Sequence, residues 1–252
     1  AMDPTGLTTP DPVRLQSALR QLHGRGVRAC VVEASSIGLA EGRLNGTAVH
    51  TAVFTNFTQD HLDYHGSMAA YWAAKRSLFA WEGLRAAVIN VDDDKGLELA
   101  AELASSGLDL WTVGVNRPAR LQARDVSHTA KGLAFDVVEG AQVIHMQSHV
   151  IGSYNVSNLL GVLATLRAQG IALPEAVAAC STLLPVPGRM ECVGGDAAPL
   201  VAVDYAHTPD ALDQALRALQ PVARSRGGRL WCVFGCGGDR DATKRPLMGA
   251  VA

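Results

Sequence analysis

The carboxylate of Glu33, the imidazole of His61 and the amine of Lys75 each sit among small or polar neighbours: Glu33-Ala-Ser-Ser, Asp60-His61-Leu62-Asp63 and Ala73-Ala74-Lys75. A carboxylate and an imidazole suit a divalent cation held beside phosphate oxygens. Magnesium in particular keeps several waters and takes few protein ligands. The lysine fits less well, because an ammonium repels the same metal. It becomes useful if it pairs with an acid, or if carbon dioxide converts it to a carbamate, which carries a carboxylate-like anion. A plainer account stays open on spacing alone: Glu33 caps a helix, His61 is a satisfied loop histidine, and Lys75 lays its stem along apolar surface.

Other motifs are individually weak. His61-Leu-Asp-Tyr-His65 has the two-histidine spacing of a helical zinc site, but Leu62 stands where a zinc protease carries its glutamate base. Gly235-Cys-Gly-Gly-Asp-Arg240, after the apolar run Trp231 to Phe234, could cradle a phosphate through backbone amides or form an ordinary tight turn. Asp204-Tyr-Ala-His207-Thr-Pro-Asp210 reads as a strand-to-helix junction, where Asp204 could accept hydrogen bonds from a ribose and His207 could lie near phosphate, with Thr208 or Asp210 as helix cap. Arg189 could grip phosphate bidentately or clasp two domains together.

The elements that must position these groups follow from periodicity. Asp11-Pro12 sets a capping side chain before a proline at the first helical turn, and Val13, Leu15, Leu19 and Leu22 continue a helix. Ala29 to Ala34 and Ala52 to Thr55 read as short buried strands ending at Glu33 and Asn56. Ser67 caps a helix that carries Lys75 on its apolar side, Ala86 to Asn90 reads as a strand, Asp92 to Ser105 as a helix and Leu110 to Val115 as a strand. This alternation predicts an α/β fold with a doubly wound, mostly parallel sheet. Ala134 to Val138 and Val143 to Met146 predict antiparallel edge strands. Helices are expected over 155–169 and 174–184. Pro185-Val-Pro187-Gly188 breaks the run and suggests a domain boundary, after which strand 200–204, helix 209–220 and strand 229–234 begin a second Rossmann-like unit.

Composition narrows the function. With 22 basic and 24 acidic residues the net charge is −2, which argues against the broad basic surface of a nucleic-acid binder. Five scattered cysteines without Cys-x-x-Cys spacing argue against a disulfide framework and suit a reducing cytoplasm. No apolar run reaches the roughly 18 residues of a membrane-spanning helix, so membrane insertion is not expected. The partner expected is a small molecule.

In their order along the chain, Thr55-Asn-x-x-x-Asp-His-Leu-Asp-Tyr-His-Gly66, Gly188-Arg-Met-Glu191, Asp204-Tyr-Ala-His-Thr-Pro-Asp210 and Gly235-Cys-Gly-Gly-Asp-Arg-Asp-x-x-Lys-Arg-Pro246 resemble the Mur ligases. The resemblance runs from about Gly6 to the last residue and is strongest to the branch that extends UDP-N-acetylmuramoyl-L-alanyl-D-glutamate by a third peptide residue. It implies an ATP-dependent, ADP-forming ligase of peptidoglycan precursors, acting through an acyl phosphate, with magnesium as cofactor. By overall likeness the expected amino acid is meso-diaminopimelate rather than lysine. It further implies a carbamate on Lys75, with Glu33, His61 and Lys75 holding metal. Thr8, Thr9, Ser35, Glu41 and Arg43 would meet the UDP-sugar dipeptide, and Asn155, Asn158, Arg189 and Asp204 the nucleotide. Residues 1–187 would form the central ATP-binding domain and 188–252 the beginning of the amino-acid-binding domain.

Some features depart from the family. Glu41 stands where many relatives carry Gln, which removes an amide donor and opposes an anionic substrate. No Gly-x-x-Gly-Lys-Thr phosphate loop and no Asp-Asn-Pro-Arg segment occurs in the 252 residues. The expectation is therefore a piece of a longer enzyme, inactive alone. Rival expectations are a folylpolyglutamate synthase-like ligase and a non-catalytic nucleotide-binding or interaction module.

Overall fold

The computed structural model describes residues 6–129, 132–194, 198–236 and 244–252, and the chain divides into two compact units, Ala1–Thr112 and Val113–Ala252. In the first unit, α1 (Pro12–Gly24) starts at Asp11, whose Oδ1 accepts from the amides of Val13 and Arg14. After it come α2 (Ser36–Ala40), β1 (Thr51–Phe54), α3 (Leu62–His65), α4 (Met68–Arg76), a 3-10 turn (Ser77–Ala80), β2 (Ala86–Asn90) and α5 (Asp94–Leu103). Strands β1 and β2 are parallel, with Phe54 opposite Ile89 at the end of the ladder. Ala86 to Ile89 are buried on both faces, as a covered parallel strand requires, and Leu99 of α5 is buried as well. Ser67 caps α4 by accepting from the Ala70 amide, as its sequence position predicts.

Strand β3 (Asp109–Gly114) crosses the division between the units. Beyond it lie β4 (Leu121–Thr129), β5 (Gly132–Glu139), β6 (Gln142–Ser148), α6 (Tyr154–Ala168), α7 (Leu173–Ser181), β7 (Glu191–Val193), β8 (Val201–Val203), α8 (Pro209–Ser225) and α9 (Lys244–Val251). The strand order is β1-β2-β3-β4-β5-β6, with β3 and β4 parallel and β5 and β6 added antiparallel. This is the mostly parallel α/β sheet with antiparallel edge strands that the hydrophobic pattern predicts. Leu121, Phe135, Val137 and Met146 bury the inner face of the edge, and Leu160 and Leu163 of α6 and Val177 of α7 are buried beside them in sequence order. Arg167 ties α6 to the end of β5, donating from Nε and Nη2 to the two Glu139 oxygens at 2.7 and 3.0 Å.

Two expected strands do not form. Residues 29–34 and 229–234 lie outside any strand and pair with none among the described residues, leaving Val31 96% and Val233 98% exposed. Their β-branched and aromatic composition favours strand, but a strand exists only where a neighbour completes its ladder. No helix among the described residues is long and apolar enough to cross a membrane.

Candidate functional site

The first unit gathers Lys75, Tyr71, His61, His65, Asp60 and Asp93. Lys75 and Tyr71 are one helical turn apart on α4, so they share a face, and the Lys75 Nζ lies 5.1 Å from the centre of the Tyr71 ring. His61 and His65 pack edge-on and tilted against the same ring, with centroids at 6.0 and 5.3 Å. Burial pushes the Lys75 ammonium below the ordinary lysine range, while Glu33, Asp60 and Asp93 oppose that shift. All three acids therefore lie within electrostatic reach of the amine, and Lys75 does not point into bulk solvent. Burial, then the Asp60 charge, pushes the Tyr71 phenol up to about 12.

His61 has a left-handed backbone (φ 54°) at the start of α3, and its amide donates to Asp60 Oδ1 at 2.9 Å. That conformation is costly for a residue other than glycine, and Asp60 helps to offset the cost. The ring of His65 is tied to Ser36 Oγ at 3.0 Å. Burial, reinforced by the charges of His61 and Lys75, holds His65 below the ordinary histidine range, which favours the neutral imidazole.

Glu33 is exposed, but its backbone is pinned from within. Thr9, fully buried, donates Oγ1 to the Glu33 carbonyl at 2.6 Å and accepts the Ser35 amide at 2.9 Å. Because a carbonyl can only accept, the Thr9 proton is committed to Glu33. The 3.0 Å contact between the Thr9 and Ser35 hydroxyls must then be donated by Ser35, whose oxygen in turn accepts the Gly38 amide. The Thr9 hydroxyl is consumed inside the fold, so any ligand contact by Thr9 would have to come from elsewhere on that residue, whereas the Ser35 oxygen keeps one lone pair. Gly38 is required by this close packing: a Cβ there would lie 2.8 Å from Thr9 Cβ. Thr8 is exposed. Arg43 donates Nη1 to the Thr9 carbonyl and Nε to Glu41 Oε2 at 2.8 Å, and the Tyr64 hydroxyl lies 3.3 Å from Glu41 Oε1. The Glu41 charge is thus matched by Arg43 rather than left to oppose an anion.

In the second unit Asp204 organises a turn. Its Oδ2 accepts the Met190 amide and its Oδ1 the Ala206 amide, both at 2.9 Å. Met190 is buried with φ 48° and packs with Ala215 and Ala218 of α8 and with Tyr154. Burial, reinforced by Asp204, raises the Tyr154 phenol to about 12. Arg189 lies over the exposed Tyr205 ring at 5.2 Å, and His207 packs edge-on to the same ring at 5.4 Å. Asn155 donates Nδ2 to the Ile151 carbonyl and accepts from Asn158 Nδ2. Thr208 caps α8 through the Ala211 amide. Of the glycine-rich turn, Gly235 and Cys236 are described, and residues 237–240 lie outside the described residues.

No group of three His, Cys, Asp or Glu side chains placed to hold a metal is found among the described residues. The geometry thus offers no preformed zinc-type cage, whereas magnesium, with one or two protein ligands and phosphate oxygens, needs none. Sequence reasoning gave no site role to Tyr71 or Asp93, and named Asp60 and His65 only within motifs. Tyr71 was findable as the residue four before Lys75 on its face, and Asp93 as an acid capping the helix after β2.

The sheet carries antiparallel edge strands, and in the first unit acidic groups surround a half-buried lysine. The Mur ligase middle domain matches residues 1–166, and the Mur ligase glutamate ligase domain matches residues 188–252. The chain belongs to the Mur ligase family. It is 66% identical over 252 residues to the UDP-N-acetylmuramoyl-L-alanyl-D-glutamate--2,6-diaminopimelate ligase of Acidovorax sp. (strain JS42), covering 100% of this chain and 50% of that protein. The ligase of the same name from Pseudomonas aeruginosa is 46% identical over 245 residues, covering 97% and 50%. A solved structure of a ligase of that name superposes with a TM-score of 0.75 at 38% identity, over 96% of this chain and 49% of that one. A pseudomurein peptide ligase type C from Methanothermus fervidus shares the fold, with a TM-score of 0.60 at 19% identity over 71% of this chain and 43% of that one. The chain spans about half the length of the curated relatives it matches.

Proposed function

We propose that this chain forms part of an ATP-dependent ligase that joins meso-diaminopimelate to UDP-N-acetylmuramoyl-L-alanyl-D-glutamate in peptidoglycan precursor synthesis. The observation that carries the proposal is the 66% identity, unbroken over the whole chain, with a ligase of that name. Residues 1–187 are assigned to the central domain and 188–252 to the C-terminal domain, with the break at Pro185 to Gly188.

In this reading the substrate carboxylate attacks the γ-phosphorus of ATP, the bond to the bridging oxygen breaks, and ADP leaves. The amine of diaminopimelate then attacks the acyl phosphate. The tetrahedral intermediate expels phosphate, the nitrogen loses its proton, and an amide remains. Magnesium, when bound, offsets the charge of the converging phosphate and carboxylate oxygens. The donor set around Lys75 is compatible with it: Glu33 is exposed and rich in acceptor capacity, and the His61 ring is 44% exposed, so both can meet a solvated cation.

Glu33 and His61 are assigned as its protein ligands, with Lys75, as a carbamate, completing the set. Depression of the Lys75 amine by burial supports this, because only a neutral amine adds carbon dioxide. Thr8, Ser35, Glu41 and Arg43 are assigned to the UDP-sugar dipeptide, with Thr9 acting through its backbone and through its hold on Glu33. Asn155, Asn158, Arg189 and Asp204 are assigned to the nucleotide. Each Asp204 oxygen keeps a lone pair beyond the amide it already accepts, so a ribose hydroxyl can still donate to it.

The test is a chimaera in which this chain replaces the corresponding half of the Acidovorax ligase. Formation of ADP that depends on both UDP-muramoyl dipeptide and diaminopimelate is expected, and Lys75→Ala should abolish it. A folded chimaera that forms no ADP would overturn the proposal.

A further inference from the structure

The loop that leaves β1 carries Asn56, Asp60 and His61, and it has no ladder of its own, because the β1–β2 pairing ends at Phe54 opposite Ile89. Side chains of the turn after β2 take over at that point. Asn90 Nδ2 donates to the Thr55 carbonyl at 2.8 Å, and Asn90 Oδ1 accepts the Asp92 amide at 3.1 Å. Asp93 Oδ1 caps α5 by accepting from Lys95 and Gly96, while Oδ2 accepts the Phe57 amide at 2.8 Å, 36 residues away in sequence. An ordinary helix cap would need only Oδ1. The turn is drawn tight at Gly96, where a Cβ would fall 1.9 Å from the Asn90 carbonyl oxygen, so no other residue fits without moving Asn90.

We propose that Asn90 and Asp93 are positioning residues of the ligase site: they grip the β1 exit loop on both sides of Asn56 and so hold its Asp60–His61 end beside Lys75. This rests on the ligase reading for the purpose of the grip, but the grip itself is measurable without ligand. Two near-isosteric variants of the 252-residue chain separate its halves. Asp93→Asn keeps an oxygen for the cap, at which Asn is as good as Asp, but replaces the acceptor for Phe57 with an NH2 group. Asn90→Asp keeps the acceptor for Asp92 and removes the donor to Thr55.

Amide hydrogen exchange by NMR reads the loop. Reductive 13C-methylation of the four lysines (Lys75, Lys95, Lys131 and Lys244), assigned through Lys75→Arg, reads the amine. The expected result is Phe57 exchange at least about tenfold faster in Asp93→Asn, the scale of one charge-assisted hydrogen bond. Protection of Lys95 and Gly96 should be kept, and in both variants the Lys75 methyl signal should be displaced and the His61 amide, held by Asp60 Oδ1, should exchange faster. Faster Phe57 exchange with an unmoved Lys75 signal or unchanged His61 exchange would make the turn merely structural and overturn the proposal, as would unchanged Phe57 exchange in Asp93→Asn. If one variant does not fold, the His61 exchange and Lys75 signal of the other decide. Loss of fold in both would mark a folding determinant and also overturn it. A chimaera that makes no ADP while these signals move counts against the ligase reading alone.

Discussion

Replacing Thr9 by Val isolates the interior pin beneath Glu33. The side chains are nearly isosteric, so packing of this fully buried residue is kept while its hydroxyl is lost. The Glu33 carbonyl loses its donor, the Ser35 amide loses its acceptor, and the Ser35 hydroxyl must turn elsewhere. A buried polar group left without a partner costs about 1–3 kcal/mol. Here Glu33 is exposed and Ser35 half-buried, so water recovers part of the loss, and the sum is about 2–4 kcal/mol. Thr9→Ser keeps the hydroxyl and should cost no more than about 1 kcal/mol, the value of one methyl group. Urea unfolding of the first unit can be followed at the Trp81 indole, whose Nε1 donates to the Thr47 carbonyl at 2.9 Å. If Thr9→Val were as stable as the parent, or Thr9→Ser as damaged as Thr9→Val, the hydroxyl chain would not be what holds this segment.

Asp204→Ala orphans the amides of Met190 and Ala206 together. It should speed exchange at both and destabilise the second unit by about 2–3 kcal/mol, and intact protection at Met190 would count against it. A pH effect follows from Tyr71, which is 5% exposed and whose phenol is raised from 10.0 to about 12. Between those values the unfolded chain releases a proton that the folded chain retains, so the stability present below pH 10 is lost as pH rises toward 12. Two pKa units correspond to at most about 2.7 kcal/mol. Tyr71→Phe should flatten this alkaline loss in urea titrations, and an unchanged pH profile would contradict it.

What the sequence revealed and what it hid divide along physical lines. Caps at Asp11, Ser67 and Thr208 are local events, set by one side chain and amides two or three residues on; the first two were legible, and Thr208 stood as one of two alternatives with Asp210. Strand β2 was legible because burial on both faces leaves an unbroken apolar run. Residues 29–34 and 229–234 are also rich in strand-favouring residues but lack the ladder, and pairing is a non-local property that no window of residues contains. The grouping of Glu33 with Lys75 was legible only through resemblance. Its supports were not: the Asp93 contact to Phe57 and the Thr9 contact to Glu33 join residues 36 and 24 positions apart. The pairing of Glu41 with Arg43 was hidden as well, two residues along the chain yet dependent on the turn after α2.

The proposed chemistry requires Lys75 to be a depressed amine that takes up carbon dioxide within reach of Glu33. Equilibrating the protein with 13C-bicarbonate at mildly alkaline pH in the presence of magnesium, and recording carbon NMR, tests this directly. The predicted result is a protein carbamate resonance, separate from that of the chain's α-amine, that is absent from Lys75→Arg and retained in Lys95→Arg. No such resonance, or one that survives Lys75→Arg, would contradict the account.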